Sequence, residues 1–356
     1  RGRNGRRHGL AATQPDSLSA VNAVPAISGA VIGLGMMGRH HARILQNHPQ
    51  LSFAGAVDPA GDVHGAIGAG GKVHASISML LATSRPDFAV IAVPTDEHLA
   101  AATELAEAGV HVLVEKPLAG TTAEAEQLIA AVEAAGVRGA VGHVERCNPA
   151  LIALRERVQG GQLGDVFLIA TERLGPYPDR IRDVGVVKDL ATHDLDLVRW
   201  LGGAAVERVS AETQHRMGRE HEDVVLAHGR LENGRAFQCS VDWLTPTKVR
   251  RTRVLGERGM LVADTLTADL TFYENGDTST AGWSAMQAMR GVAEGDMTRY
   301  ALERREPLVV ELEQFATYAA GGDAAGVVTL TEGLETVRVA AACLHSAAAG
   351  ETVRIA

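Results

Sequence analysis

The strongest structural signal is the alternation of short apolar runs with helical patterns in the first part of the chain. The apolar runs, many with β-branched residues, occur at 28–35, 51–59, 88–94, 110–117 and 137–146. Short runs closed by glycine, proline or acidic residues predict buried parallel strands. Helical patterns separate them, as at 121–136, where a threonine is a suitable N-cap. The alternation predicts an α/β fold with a doubly wound parallel sheet.

The pattern changes near residue 147, where apolar and polar residues begin to alternate along successive segments. Such segments are 165–174, 206–215, 223–244 and 247–264. Asn-Gly pairs at 233–234 and 275–276 predict hairpin turns. Helical patterns occur at 189–201, 311–322 and 329–350. We therefore expect a Rossmann domain at 27–146 and a second α/β domain, with a mainly antiparallel sheet, at 147–356.

Composition and charge narrow the function classes. Lys and Arg number 34 against 43 Asp and Glu, giving a net charge of −9, which argues against nucleic-acid binding. The chain has no apolar run of the roughly 18–20 residues that cross a membrane. Three scattered cysteines predict neither disulfides nor a metal site, and favour a reduced, cytoplasmic setting. Residues 1–26 are basic, lack a signal-peptide core and are expected to form a flexible extension.

A dinucleotide fingerprint follows the first predicted strand. Gly33, Gly35 and Gly38 form Gly-x-Gly-x-x-Gly between a strand and a helix. The first glycine makes a tight turn, the second admits a pyrophosphate, and the third lets the helix approach the strand. The helix begins with Met36 and Met37, so the free N–H groups of its first turn can face the anion.

An acidic residue supports the same interpretation. Asp58 ends the second strand, 20 residues after Gly38. A carboxylate there would accept a hydrogen bond from the ribose 2′-hydroxyl and repel a 2′-phosphate. The sequence therefore predicts NAD as the cofactor, with NADP disfavoured.

Two further motifs give a resemblance. Glu115 and Lys116 lie in Val-Glu-Lys-Pro at the end of a strand, and Asp189 and His193 lie in Asp-Leu-Ala-Thr-His-Asp. With the glycines, they resemble the Gfo/Idh/MocA oxidoreductases over nearly all of 28–356. The resemblance implies a Rossmann domain followed by a domain with a large, open, mainly antiparallel sheet. It also implies homodimers or homotetramers formed through that sheet.

The resemblance assigns catalytic roles to Lys116, Asp189 and His193. These residue types suit the oxidation of an alcohol, because histidine takes a proton near neutral pH and an ammonium stabilises the negative charge that develops on oxygen. Positions 189 and 193 share a helix face, so both side chains can point into one pocket. The resemblance adds the cofactor-pocket positions Pro94, Thr95, His98 and Glu115. For His98, a purely structural place at a helix start is the alternative.

Two stretches suggest a substrate class. Residues 142–151 and 173–196 resemble the UDP-N-acetylglucosamine 3-dehydrogenases within the family. Guanidinium groups suit pyrophosphate oxygens, and ordinary surface charges or salt bridges are the alternative interpretation. The candidate substrate-binding residues, besides Asp189 and His193, are Arg146, Asn148, Arg173, Arg180 and Arg182.

The leading hypothesis is NAD-dependent oxidation of the 3-hydroxyl of a UDP-N-acetylhexosamine to a 3-keto sugar. An inositol or aminocyclitol dehydrogenase would use the same chemistry on a small sugar-like substrate without the nucleotide. An NAD-dependent glycosidase and a non-catalytic dinucleotide sensor are further alternatives. An intact set of Lys116, Asp189 and His193 argues against the sensor, which has no need of it.

Overall fold

A computed structural model of the chain describes residues 27–178, 184–276 and 293–355. The extension expected at 1–26 lies outside these ranges. Two β-sheets, of seven and nine strands, organise the fold. Within the described residues, no helix has both the length and the apolar character needed to cross a bilayer.

Residues 27–142 form alternating strands and helices. The strands are β1 (Ile27–Ile32), β2 (Leu51–Val57), β3 (Val73–His74), β4 (Phe88–Ile91), β5 (His111–Glu115) and β6 (Gly139–Gly142). The helices are α1 (Met36–Asn47), α2 (Ile77–Thr83), α3 (His98–Glu107) and α4 (Thr122–Ala134), with a 3-10 turn at Thr95–Glu97. Thr121 and Glu124 form a capping box that fixes the start of α4.

Within the described residues after 142, most elements are strands, and four are α-helices. The strands are β7 (Val166–Pro176), β8 (Val206–Gln214), β9 (Val224–Leu231), β10 (Ala236–Asp242), β11 (Leu244–Gly256), β12 (Gly259–Asp264), β13 (Asp269–Gly276), β14 (Ala293–Tyr300), β15 (Val328–Thr329) and β16 (Val353–Arg354). The helices are α5 (Pro149–Gln159), α6 (Thr192–Gly202), α7 (Pro307–Ala319) and α8 (Leu330–Ala349). A 3-10 turn at Val144–Cys147 precedes α5, and a π-helical turn at Val187–Ala191 leads into α6.

The first sheet has the strand order β15-β6-β5-β4-β1-β2-β3. Strands β1 to β6 pair in parallel, and only β15 is antiparallel. The predicted doubly wound parallel sheet is confirmed. Its order reverses between β1 and β4, so the loops after these two strands flank the crevice where such sheets bind ligands.

The second sheet has the order β14-β13-β12-β11-β7-β10-β9-β8-β16 and is antiparallel except for the pair β7 and β10. This confirms the large, mainly antiparallel sheet. The turn predicted at Asn233 and Gly234 joins β9 to β10. The turn predicted at Asn275 and Gly276 is wrong, because both residues belong to β13 and pair with β14.

One face of the second sheet is covered by helices. Leu151 of α5, Leu195 of α6 and Val339 of α8 share an apolar core with Ile169 and Phe237 of the strands. The alternation of buried and exposed residues along β9 and β10 reflects this one-sided covering.

Helix α7 packs against the first sheet, although the sequence assigns it to the second domain. Leu312 and Phe315 share a core with Val31 and Phe88, and the two phenyl rings meet edge to face with centroids 5.6 Å apart. Strand β15, which follows α7, extends the same sheet. Helix α7 and strand β15 lie after the boundary expected at residue 146, but in the structure they pack with the first sheet.

Removing the Phe315 ring tests this packing. Phe315 is fully buried, so Phe315→Ala should lower the free energy of unfolding by about 3–5 kcal/mol. Urea unfolding followed by circular dichroism measures the change. The control Leu266→Ala removes a side chain that is 53% exposed and should change stability by less than about 0.5 kcal/mol. Equal effects of the two substitutions would contradict the packing described here.

Candidate active site

The glycine turn after β1 has the geometry of a phosphate cradle. Gly33 has φ +90°, which favours glycine. A Cβ on Gly38 would lie 1.8 Å from the Gly33 carbonyl oxygen, so only glycine lets α1 seat against the turn. A Cβ on Gly35 would meet nothing within 4 Å, and no side chain caps the helix there. The open space in front of uncapped N–H groups fits a pyrophosphate.

Asp58 lies beside this turn at the end of β2. Its carboxylate accepts hydrogen bonds from the backbone N–H groups of Leu34 and Ala60, both at 2.9 Å. These bonds fix the carboxylate next to the glycine turn while leaving it partly exposed. The position fits the predicted contact with a ribose.

A cleft of about 600 Å³ runs from the start of α1 to the π-helical turn before α6. It brings together most of the predicted cofactor and catalytic positions. The predicted residues that line it are Met36, Met37, Pro94, Thr95, His98, Glu115, Lys116 and Asp189. Residues 73 positions apart thus meet at one edge of the parallel sheet.

Lys116 and Asp189 form the central contact of the cleft. The Lys116 ammonium donates to the Asp189 backbone carbonyl at 2.7 Å and to Asp189 Oδ1 at 3.0 Å. Both side chains are largely buried, and Asp189 Oδ2 has no hydrogen-bond partner among the described residues. Asp189 lies in the π-helical turn, a local widening that is frequent at functional sites.

His193 follows Asp189 by one helical turn. Burial, together with the positive charges of Lys116 and Arg173, lowers the pKa of His193 well below its ordinary value. The imidazole is therefore neutral near pH 7 and has a free lone pair for a proton. Its Nδ1 atom is buried and has no hydrogen-bond partner among the described residues.

Glu115 lines the cleft beside Lys116 and also contacts a buried histidine. Its Oε1 lies 2.8 Å from Nε2 of His41, a fully buried histidine on α1. Burial opposes the charge, but the contact with His41 and the Lys116 ammonium lower the pKa of Glu115. The charged carboxylate links the first helix to the strand end that carries Lys116.

His98 supports the cleft wall through its ring. Its nitrogens lie 3.3 Å from the Leu118 carbonyl oxygen and 3.2 Å from that of Val93. Burial lowers the pKa of His98, so the neutral ring can donate to only one of them at a time. Both ring nitrogens of His98 lie near backbone carbonyl oxygens. This placement agrees with the alternative of a purely structural place at a helix start.

The structure places Arg146 in an ion pair instead of a substrate cleft. Its guanidinium donates to both oxygens of Asp196, at 2.7 and 2.5 Å, and to Glu332 at 2.7 Å. Burial opposes the charge of Asp196, but Arg146 lowers the pKa of that carboxyl below its ordinary value. Both side chains are buried, so Arg146 anchors α6. Its guanidinium group is therefore not free to bind a pyrophosphate.

Two other predicted substrate residues, Arg173 and Asn148, also contact protein groups. Arg173 is 5% exposed and donates to Asp194 at 2.6 Å and to Glu145 at 2.9 Å. Asn148 caps α5 by accepting from the Ala150 N–H at 3.0 Å. The predicted substrate contacts of these residues are thus replaced by structural ones. Arg180 and Arg182 lie outside the described residues.

The sequence did not indicate two cations near the candidate catalytic residues. Lys188 lines the cleft, and its ammonium donates to the Gly120 carbonyl at 3.2 Å. Arg250 of β11 donates to the Leu174 carbonyl at 2.6 Å, and its charge contributes to the lowered pKa of His193. Lys188 directly precedes Asp189, which is a usable signal, whereas Arg250 reaches the site only through strand pairing.

No cluster of metal-ligating side chains occurs within 27–178, 184–276 and 293–355. The chemistry of the cleft is that of an ammonium, a carboxylate and a neutral imidazole beside a dinucleotide cradle. This set can accept a proton from a hydroxyl group and stabilise the resulting negative charge.

Two family models match the chain. Residues 27–143 match the model described as "Oxidoreductase family, NAD-binding Rossmann fold", and residues 151–262 match "GFO/IDH/MocA C-terminal domain". The matched ranges include Lys116, Asp189 and His193. The chain is thus matched as an NAD-binding oxidoreductase.

Similar proteins are dehydrogenases of nucleotide sugars and cyclitols. The chain is 31% identical to UDP-N-acetylglucosamine 3-dehydrogenase of Acidithiobacillus ferrooxidans, over 80% of this chain and 86% of the relative. It is 32% identical to myo-inositol dehydrogenase Hyg17 of Streptomyces leeuwenhoekii, over 90% and 97%. A solved structure of the Acidithiobacillus enzyme superposes with a TM-score of 0.77 at 27% identity, covering 91% of this chain and 98% of that one.

The effect of the Lys116 charge on the pKa of His193 can be tested by titration. Lys116→Met removes a positive charge that lowers the pKa of His193, so the pKa should rise toward its ordinary value. Nuclear magnetic resonance of the histidine ring protons measures it. Lys188→Met, which removes a neighbouring cation, is the control and should move the His193 titration less. No change in Lys116→Met would contradict the electrostatic coupling.

Proposed function

The chain belongs to the Gfo/Idh/MocA family of oxidoreductases, and from this premise we propose that it oxidises a secondary hydroxyl on a sugar-like ring with NAD. The leading substrate is a UDP-N-acetylhexosamine, oxidised at its 3-hydroxyl to a 3-keto sugar. The observation that carries the proposal is the group of Lys116, Asp189 and His193 at the end of the dinucleotide cleft.

The glycine turn and Asp58 would hold the dinucleotide. The N–H groups at the start of α1 would face the pyrophosphate, and Asp58 would accept a hydrogen bond from the ribose 2′-hydroxyl. A carboxylate at that position disfavours the 2′-phosphate of NADP. Bound NAD⁺ would supply the hydride acceptor. The residues that line the cleft around Lys116 would position its nicotinamide ring.

The three catalytic residues divide the proton chemistry. Neutral His193 takes the hydroxyl proton as the carbon loses hydride. The Lys116 ammonium stabilises negative charge on the substrate oxygen. Asp189 holds that ammonium in place through two contacts, which keeps it oriented before substrate arrives.

The nucleotide-sugar substrate is supported by the relative that acts on UDP-N-acetylglucosamine and by the resemblance of residues 142–151 and 173–196. The cyclitol alternative has a specific observation in its favour. Arg146 and Arg173 are committed to buried ion pairs, which leaves fewer guanidinium groups for a pyrophosphate. The similarity to a myo-inositol dehydrogenase points the same way.

Reduced nicotinamide formation separates the two substrates. We expect an increase in near-ultraviolet absorbance with UDP-N-acetylglucosamine and NAD⁺, in the presence of a carbonyl trap that pulls the oxidation forward. Myo-inositol is tested in parallel. A signal with the cyclitol alone would replace the leading substrate while keeping the mechanism, and silence with a broad panel of both classes would refute the proposed reaction.

Variants provide the controls for this assay. Lys116→Ala and His193→Ala should each lower kcat by about 10²–10⁴-fold and leave dinucleotide binding nearly unchanged. Lys72→Ala removes an exposed lysine remote from the cleft and should behave as the unmodified protein. Full turnover in either catalytic variant would remove that residue from the mechanism.

The uncovered face of the second sheet is the proposed site of homo-oligomer formation. Strand pairing aligns an apolar row from Leu168 through Leu255, Met260 and Tyr273 to Met297. Of these, Leu255, Tyr273 and Met297 are 38%, 42% and 66% exposed. A contiguous exposed apolar patch of this kind is typical of an interaction surface, and a second copy of the chain is the partner we propose.

Introducing charge into the row should separate the subunits. The double variant Leu255→Glu and Met297→Glu places carboxylates on the face, so we expect a monomer by analytical ultracentrifugation where the unmodified protein is a dimer or tetramer. Val63→Glu, at a 68% exposed position in the first domain, should keep the assembly. An unmodified protein that is monomeric would eliminate the interface.

A further inference from the structure

A small internal chamber lies behind the catalytic group. Its walls include His143, which follows β6, and Glu311, which lies on α7. Leu113, Phe315 and Val327 supply much of the apolar part of the wall. The chamber measures about 10 Å³, which is close to the smallest space that accommodates one water molecule.

Three polar atoms of the chamber residues have no hydrogen-bond partner among the described residues. They are Nδ1 and Nε2 of His143 and Oε2 of Glu311. His143 is 1% exposed and Glu311 is 6% exposed. Buried polar atoms are almost always hydrogen-bonded, to protein or to ordered water. One internal water between these two side chains would satisfy an atom on each.

The protonation states suit such a water. Burial and the nearby charge of Glu115 raise the pKa of Glu311 well above its ordinary value, which favours the protonated carboxyl. Burial lowers the pKa of His143, although Asp196, Arg146, Lys116 and Glu115 also act on it. The N–H of a neutral imidazole can donate to the water, and the water can donate to the free oxygen of a neutral acid.

The ring of His143 also adjoins that of His193. The two rings meet edge to face, with centroids 6.3 Å apart and an interplanar angle of 84°. Nδ1 of His193 is buried and lacks a partner among the described residues, like both nitrogens of His143. Three imidazole nitrogens without a partner among the described residues therefore belong to two adjoining rings, and the His143 ring lines the chamber.

The chamber borders a second opening to solvent. Arg146, Gly326 and Val327 line both the chamber and an open surface cleft of about 360 Å³. That surface cleft shares no lining residue with the dinucleotide cleft. The residues shared by the chamber and the surface cleft would therefore separate a proton on Glu311 from solvent. Bound dinucleotide and substrate would not block this route.

We propose that His143, one internal water and Glu311 form a buried proton relay that leads from His193 toward this surface cleft. The role in turnover rests on the proposed function, in which His193 takes the hydroxyl proton. His193 takes the hydroxyl proton on one ring nitrogen and releases a proton from its other nitrogen to His143, once the two rings turn to within hydrogen-bond distance. The second nitrogen of His143 then releases a proton to the water. The water passes a proton to the free oxygen of Glu311, whose hydroxyl oxygen releases its own proton outward. Each group returns to its starting charge.

Infrared spectroscopy tests the internal site without any reaction. In the protein free of dinucleotide and substrate, we expect the carbonyl stretch of a protonated carboxyl at neutral pH, with a shift in D₂O. The band should vanish in Glu311→Gln and persist in Glu313→Gln, which removes an exposed-side carboxyl from the same helix. His143→Phe should change its frequency, because the water loses its hydrogen-bond donor.

Either of two infrared results would overturn the relay. One is the absence of a protonated-carboxyl band in the unmodified protein, and the other is a band that does not respond to His143→Phe. The unmodified protein and His143→Phe decide these points even where Glu311→Gln does not fold.

Kinetics test the role in turnover. With a substrate that is oxidised, Glu311→Gln should lower kcat about tenfold, leave KM nearly unchanged and increase the solvent deuterium isotope effect. Glu313→Gln should match the unmodified enzyme in all three quantities. An unchanged kcat and isotope effect in Glu311→Gln would overturn the relay while the proposed oxidation stands. Oxidation of no substrate would instead refute the proposed function, and the infrared bands would still decide the internal site.

Discussion

The placement of one ammonium group organises the catalytic end of this molecule. Lys116 leaves the parallel sheet at the end of β5, and Asp189 lies in the turn that leads into α6 of the second layer. A largely buried ammonium needs such partners, because an unpaired charge is costly away from water. The contact therefore fixes the π-helical turn against the Rossmann edge. His193, one turn further on, takes its position from the same constraint.

Two buried ion pairs also hold α6 in place. Asp196 pairs with Arg146 and Asp194 pairs with Arg173, each within hydrogen-bond distance. Removal of one member would leave an uncompensated buried charge, so the pairs define how the helix sits. Neighbouring residues of one short motif thus have separate tasks. The aspartates at 194 and 196 anchor the helix, and His193 remains available for a proton.

His193 therefore has two different surroundings. On the cleft side, Lys116 brings a positive charge that suits an oxygen losing its proton. On the inner side, His143 and Glu311 have polar atoms without a partner in the described part of the chain. In the proposed reaction, the first environment would favour proton abstraction from a hydroxyl, and the second would offer a path for the proton when the cleft is filled.

The sequence by itself determined the elements whose physics is local. The spacing of Gly33, Gly35 and Gly38 requires a tight turn and close helix packing, and alternating apolar patterns gave both sheets. Helix periodicity also placed residues 189 and 193 on one face. Only the tertiary structure decided which charges meet. Arg146 and Arg173 find partners that are 21 to 186 positions away, and α7 covers the first sheet instead of the second. A charged residue looks the same in a sequence whether it binds a ligand or a buried carboxylate, because its partner is chosen by the packing of distant elements.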